Sequence, residues 1–180
     1  MKKILILVII LAAAYTNCIG QLYFTKNGRV SFFSSTPMED IKADNNQAIS
    51  ILNTSTGELQ FSLLNNAFHF KKALMEEHFN ADYIESAKYP KSSFKGTIGN
   101  ISSVNFNADG VYKVTVSGNL DIHGVIKMIS VPGTITVRSG SISAVSVFKV
   151  KVKDYNISIP SAVRNNIADD IEITISCNYE

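Results

Sequence analysis

The segment Val111–Ile122 alternates apolar and polar residues over its whole length, and this pattern constrains the fold of the chain most strongly. Every second residue from Tyr112 to Ile122 is apolar or glycine, and the residues between them are polar. Successive side chains of a β-strand point to opposite faces of a sheet, so this period places all apolar residues on one face. The segment therefore predicts a long strand with one buried and one solvated face.

The same period recurs along much of the chain. Glu58–Leu63, Phe148–Lys153 and Ile171–Asn178 alternate in this way, and Ser93–Ser102 and Val125–Val137 are also strand-like. The total is about eight antiparallel strands, and a sheet of that size closes or splits to avoid exposed edges. A closed eight-stranded barrel has an interior that is filled by side chains or holds one small ligand.

Turn signals predict how these strands connect. Asn-Gly is a strong hairpin signal, so Lys26-Asn27-Gly28 predicts a hairpin between Leu22–Thr25 and Arg29–Ser34. A second hairpin is predicted at Thr54–Gly57, between Ala48–Asn53 and Glu58–Leu63.

Other polar or breaking segments predict interruptions of the strands. Thr36–Asn46 is polar and contains Pro37, which predicts a loop with one helical turn at Met38–Ala43. Pro132-Gly133 marks a bulge or an edge break within a strand, and Ser161–Asp170 could hold a short helical turn.

One segment, Phe68–Phe79, has a helical period. Phe70, Leu74 and His78 are spaced four residues apart, with Met75 and Phe79 beside them, whereas lysines and glutamates take the opposite face. A barrel needs no helix to close its sheet, so we interpret this helix as a cover over an interior. His78 is then either a core histidine or a polar group at the wall of a ligand cavity.

The first twenty residues predict a signal peptide. Lys2 and Lys3 precede the apolar run Ile4–Ala14, and small residues fit a cleavage site before Gln21. The expected mature domain is 21–180, in the periplasm or secreted; a retained N-terminal anchor is the alternative. Without Lys2 and Lys3 the 17 basic residues become 15, equal to the 15 acidic ones.

A neutral domain without a basic block offers no electrostatic footprint for nucleic acid, so no nucleic-acid partner is predicted. The three histidines and the single mature cysteine do not have metal-ligand spacing, and neither a nucleophile elbow nor a phosphate-binding loop is present. We therefore predict no enzyme, no cofactor and no metal. Cys177 should be a small buried residue. His123 is either a turn residue or a ligand contact, and the stripe Lys149, Lys151 and Lys153 is a solvated face, with contact to an anionic surface as the alternative.

Several motifs, in order along nearly the whole mature chain, are similar to one family. They are Leu74-Met75-x-x-His78-Phe79-Asn80, Tyr83-Ile84-Glu85-Ser86, Lys88-Tyr89-Pro90, Phe94-Lys95-Gly96, Leu120-x-Ile122-His123-Gly124-Val125-x-Lys127, Asp154-Tyr155 and Ile159-Pro160. Together they resemble the YceI-like family of secreted bacterial proteins, in the version common in Bacteroidota.

This resemblance implies an all-β fold with a short helix, namely an eight-stranded antiparallel lipocalin-like β-barrel with the α-helix capping one end. It also implies a periplasmic protein that binds a polyisoprenoid, quinone or other lipid-like chain in its interior, without catalysis. Transient membrane-surface contact and a homodimer stay open as further partners. The alternative is a structural or interaction barrel whose interior is filled by side chains.

The residues that line or close the interior are predicted from the alternation of apolar residues and from the face on which each residue lies, not from a known set of ligand contacts. His78 and Tyr83 are expected near a polar head group. The predicted ligand-binding residues are Phe70, Leu74, His78, Phe79, Tyr83, Phe94, Val114, Val116, Leu120, Ile129, Phe148 and Ile173.

Overall fold

A computed structural model describes residues 21–180, so the predicted signal peptide of residues 1–20 lies outside the described residues. None of the helices among residues 21–180 is long and apolar enough to cross a membrane. The strands are β1 (Leu22–Ser35), β2 (Asp40–Asn53), β3 (Glu58–Leu64), β4 (His69–Phe70), β5 (Lys91–Ile98), β6 (Gly110–Ile122), β7 (Val125–Arg138), β8 (Ser141–Lys151) and β9 (Asp170–Tyr179). The short helix α1 (Ala73–His78) continues into a π-helical turn at Phe79–Tyr83.

Eight antiparallel strands close into a barrel, as predicted. Their order is β1-β9-β8-β7-β6-β5-β3-β2, and β2 returns to pair with β1. The two-residue β4 adds to the far part of β2, where Ala43 lies opposite Phe70. Among residues 21–180, full closure leaves no long sheet edge except where a ladder stops short.

The two ends of the barrel differ. At one end, the lid end, lie the β1–β2 turn, α1 with its π-helical turn, the β6–β7 turn and the segment between β8 and β9. At the other end, the packed end, large inward side chains fill the interior. Ile135, Val137 and Ile142 are only 1–2% exposed there, so the barrel is closed at this end by its own core.

The predicted hairpin at Lys26-Asn27-Gly28 is wrong, because β1 runs through it. Thr25 lies opposite Ser50 and Gly28 opposite Ala48, with a register shift between the two pairs. The residues between form a bulge against the same neighbouring strand, not a turn. Gly28 is needed for close approach, since a Cβ there would lie 3.0 Å from the Ala48 carbonyl oxygen and 3.3 Å from Cys177 Sγ.

The predicted loop at Thr36–Asn46, with its helical turn at Met38–Ala43, is also wrong. The hairpin turn is confined to the residues between β1 and β2, and β2 begins at Asp40. Several of its inward positions are small or polar, such as Ala43 and Asn45, so apolar alternation did not reveal the strand. Asn45 is completely buried, and its side-chain N–H donates to the Leu64 carbonyl at 2.9 Å, which satisfies the polar group.

Other predictions are confirmed. The Thr54–Gly57 hairpin joins β2 and β3, a short helical turn occurs at Ser161–Val163, and Cys177 is 2% exposed. Burial raises the pKa of the Cys177 thiol to about 11, which keeps it protonated and unreactive near neutral pH. The lysines of β8 point outward and are exposed.

The predicted helix is shorter and rotated. His69 and Phe70 are held in β4, so α1 begins only at Ala73. Consequently Met75 and Phe79 face inward, whereas Leu74 is 62% exposed. The prediction that Leu74 faces the interior is wrong. It assumed that Phe70 and Leu74 lie on the same face of one helix, whereas Phe70 belongs to β4.

Candidate functional site

The barrel encloses a cavity of about 410 Å³ with almost entirely apolar walls. Inward side chains from the middle of the barrel towards its lid end, such as Leu120, Ile129 and Ile175, are only partly buried. Since these side chains point into the barrel, their exposed surface faces the cavity. This contrasts with Val137 at the packed end, which is 2% exposed and does not line the cavity. The cavity therefore extends from the middle of the barrel towards the lid end.

The structure brings eleven of the twelve predicted site residues together on the cavity wall. Leu74 is the exception, since it lies on the outer surface of α1 and does not line the cavity. The eleven are Phe70, His78, Phe79, Tyr83, Phe94, Val114, Val116, Leu120, Ile129, Phe148 and Ile173. Their contact with a ligand stays a prediction.

A cluster of four phenylalanines lies beneath the lid. The rings of Phe32, Phe68, Phe70 and Phe79 stack with centroid distances of 5.2–5.6 Å. These rings join β1 to the segment that carries the lid and form the apolar wall of the cavity at this end. Sequence reasoning missed Phe32 and Phe68 as site residues, although Phe32 shares its parity with the buried Val30 of β1.

His78 is at the rim of the cavity rather than in a core. Its Nδ1 lies 2.8 Å from Asp82 Oδ2, and about half of the His78 side chain is exposed. Nearby Tyr83 is partly buried, and its desolvation raises the pKa of the phenol, with a further contribution from the Asp82 carboxylate. The rim thus offers one imidazole and one neutral hydroxyl to a polar group at the end of a ligand.

Glu39 connects three elements around the rim, and we call it the rim latch. Lys72 Nζ donates to Glu39 Oε1 at 2.9 Å, and Asn166 Nδ2 donates to Glu39 Oε2 at 3.1 Å. The hydrogen bond from Lys72, followed by that from Asn166, lowers the pKa of the Glu39 carboxyl. The latch therefore links the β1–β2 turn, the start of α1 and the β8–β9 segment.

A second junction is centred on His123, which is 8% exposed. His123 Nε2 lies 2.7 Å from Glu85 Oε2, and Nδ1–H donates to the Tyr155 carbonyl at 3.0 Å. Both ring nitrogens of this buried histidine are therefore within hydrogen-bond distance of an oxygen. The Tyr89 ring packs against the imidazole edge at 4.3 Å between centroids. This junction joins the segment after α1 to the β6–β7 turn and the helical turn that follows β8.

His123 also forms the turn that the sequence predicted. Its φ is +54° and that of Gly124 is +72°, as in a two-residue hairpin turn with both central residues left-handed. The buried hydrogen bonds were not predicted, because Glu85 and Tyr155 come from distant parts of the chain.

We expect His123→Asn to destabilise the protein by about 1–3 kcal/mol, the usual cost of losing buried hydrogen bonds. Asparagine tolerates a left-handed conformation, so this variant retains the turn and removes the junction. Urea unfolding measures the loss, and amide hydrogen exchange should accelerate around Glu85 and Tyr155. His78→Asn is the matched control, because a half-exposed histidine pair contributes at most about 0.5 kcal/mol. Equal stability losses in the two variants would contradict the junction.

Comparison with known proteins agrees with this geometry. The YceI-like domain matches residues 22–179 of the chain. None of the curated protein sequences compared with the chain matches it. Among solved structures, a polyisoprenoid binding domain from Saccharophagus degradans, implicated in plant cell wall breakdown, has a TM-score of 0.78 at 17% identity. That match covers 89% of this chain and 98% of the other.

Two further solved structures share the fold. BcnA of Burkholderia cenocepacia has a TM-score of 0.69 at 17% identity, over 85% of this chain and 96% of that protein. The YceI protein of Campylobacter jejuni has a TM-score of 0.56 at 19% identity, over 74% and 80%. These likenesses confirm the barrel with its short helix. Because the family match spans nearly all of the described residues, the chain belongs to the YceI-like family.

Proposed function

We propose that this protein binds one long apolar chain of the polyisoprenoid or quinone type in the barrel interior, without catalysis, in the bacterial periplasm. The observation that carries the proposal is the cavity, which is lined by apolar side chains from all eight strands of the barrel and closed at the packed end. A polyisoprenoid binding domain of the same fold supports the choice of ligand class.

The energetics of burial favour such a ligand. Each buried methylene contributes ~0.8 kcal/mol, so about twenty of them would give roughly 16 kcal/mol, which offsets an association cost of roughly 4–15 kcal/mol. A polar ligand would leave its hydrogen-bonding groups unpaired against these walls, at a cost of about 1–3 kcal/mol for each group. Shape and polarity therefore favour an elongated apolar chain, with any polar group at the rim near His78 and Tyr83.

The periplasmic location rests on the predicted signal peptide of residues 1–20, and the assignment to the Bacteroidota version rests on the motif around His78. The proposal of a non-catalytic role is supported by the fold that this chain shares with the polyisoprenoid binding domain from Saccharophagus degradans. The competing role, a barrel filled by its own side chains, is disfavoured because the inward side chains leave a cavity in mid-barrel.

Native mass spectrometry of the protein purified from the envelope of its own organism tests the proposal. We expect a mass excess of one lipid per barrel, released on unfolding and identified as an isoprenoid or quinone. A control sample extracted with organic solvent and refolded should lack this excess. A bound metabolite of polar character, found at one per barrel, would contradict the proposed ligand class.

A further inference from the structure

The barrel wall contains a gap between β7 and β8. Their ladder runs only from Arg138 opposite Ser141 to Thr134 opposite Val145. In contrast, β7 pairs with β6 along its full length to Val125, and β8 pairs with β9 along its full length to Lys151. Within residues 21–180 the β7–β8 ladder does not extend to 125–133 of β7 and 146–151 of β8. We call this gap the β7–β8 window.

Both ends of the β7–β8 window are fixed. At the end nearer the packed core, Ser146 Oγ donates to the Pro132 carbonyl at 2.6 Å, and Pro132 has no N–H with which to continue the ladder. At the lid end, His123 donates to the Tyr155 carbonyl at 3.0 Å, which joins the β6–β7 turn to the helical turn Val152–Tyr155 that follows β8. Residues 125–131 of β7 and 147–151 of β8 lie between these ties, so the window is roughly 17–23 Å long.

The window is continuous with the cavity. The inward residues that border it, Ile129, Val131, Phe148 and Val150, all line the cavity. Thr134 and Val145, which lie opposite each other and point outward, line the cavity as well. The cavity thus reaches the outer surface of the barrel at the edge of the window.

The outer lips of the window carry exposed apolar side chains. Ile126 and Met128 on β7 are 64% and 74% exposed, and Val145 and Val147 on β8 are 42% and 45% exposed. Lys149 and Lys151 lie on the same outer face of β8 as Val145 and Val147, and both lysines are exposed. Glu172 lies opposite Lys149 on β9, and Asp170 lies 4.0 Å from Lys151, so these charges are partly compensated and the apolar lips dominate the patch.

We propose that the β7–β8 window is the portal through which an apolar chain passes between a lipid bilayer and the cavity, and that the lips dock on the bilayer. The inference rests on the proposed function, because it assumes that the cavity takes a lipid chain. A bilayer is the occupant that matches, since the patch is apolar, is bordered by lysines that suit lipid phosphates, and opens into an apolar cavity. A lateral window also lets the chain slide sideways, without exposing its length to water.

Three double variants locate the portal. The lip variant is Ile126→Ser with Met128→Ser, and neither residue lines the cavity. The lid variant is Met38→Ser with Leu74→Ser, which removes side chains that are 71% and 62% exposed at the lid end. The control is Leu22→Ser with Val111→Ser, which removes side chains that are 63% and 70% exposed at the packed end. All three remove similar apolar surface.

Two measurements are made on each variant and on the wild type. Co-sedimentation with vesicles of phosphatidylcholine and phosphatidylglycerol reports docking, and transfer of a fluorescent polyprenol from these vesicles reports loading. We expect the lip variant to lose at least about tenfold in both, which corresponds to ~1.4 kcal/mol, whereas the lid and control variants stay near the wild type. Equilibrium binding of the polyprenol in detergent solution should be unchanged in all three.

Other outcomes would overturn the proposal. Loss of loading in the lid variant, with wild-type loading in the lip variant, would place the portal at the lid. Equal losses in the lip and control variants would mean nonspecific adsorption. If the wild type fails to bind the polyprenol in detergent solution, the proposed function itself fails; if it binds but the lip variant loads normally, only the portal fails.

Discussion

Leu120→Trp should prevent uptake of a polyprenyl chain while leaving the protein nearly as stable as the wild type. Leu120 points inward near the lid end of β6, lines the cavity and is only partly buried. An indole at this position would occupy the space that we assign to the ligand. Because it enters a cavity rather than a packed core, the usual overpacking cost of about 1–3 kcal/mol should largely be absent.

Val137→Trp provides the matched control. Val137 also points inward, but it lies at the packed end, is 2% exposed and does not line the cavity, so a larger ring has no space there. We expect a loss of about 3 kcal/mol or more in the free energy of unfolding, measured with urea. If the two variants are equally destabilised, the interior is filled by side chains and the binding function is wrong. Unchanged polyprenol affinity in a folded Leu120→Trp protein would contradict the assigned ligand position.

Gly118→Val should be among the most damaging substitutions in the chain. Gly118 lies directly opposite Gly96 across β5 and β6. A Cβ on Gly118 would lie 2.4 Å from Gly96 Cα, 2.5 Å from the Lys95 carbonyl oxygen and 2.8 Å from Phe94 Cζ. The first two contacts are with backbone atoms that cannot move without separating the strands.

We therefore expect Gly118→Val to lower the free energy of unfolding by more than about 3 kcal/mol, or to prevent folding. Thr115→Val, on the exposed outer face of the same strand, should change it by no more than about 0.5 kcal/mol. Midpoints of urea unfolding measure both. A Gly118→Val protein with the wild-type midpoint would show that β5 and β6 are not packed as closely as described.

The sequence predicted the barrel best where large apolar residues mark the inward face. In β6 and β9 the period of two is unbroken, so strand, face and cavity position followed from parity alone. In β2 the inward residues include Ala43, Asn45 and Ser50, which are small or polar and are stabilised by contacts that the sequence does not show. The strand therefore resembled a loop.

The bulge in β1 and the start of α1 show a related limit. Asn27-Gly28 forms a hairpin only if the strands on either side pair with each other, but both instead pair with β2. Likewise, Phe70 fitted a helical period, but it lies in β4 and pairs with Ala43 of β2. Local signals give the possible conformations, and tertiary pairing selects among them.

The site could be predicted as a set of residues but not as an arrangement. Eleven of the twelve predicted residues lie on the cavity wall, because inward parity is enough to place them. The His123 junction depends on partners 38 and 32 residues away, for which no local pattern exists. Pro132-Gly133 indicated a break, yet only the strand pairing shows that the break opens a window on one side of β7 and leaves the other side paired.

Uptake of a polyprenol by protein stripped of lipid, refolded and verified as folded tests the proposed binding function most directly. Titration with a long-chain polyprenol, with a short-chain alcohol as the control, measures affinity and stoichiometry. We predict saturable binding of one long chain per barrel and much weaker binding of the short alcohol. A folded, lipid-free barrel that takes up neither the polyprenol nor a long-chain quinone would contradict the proposal.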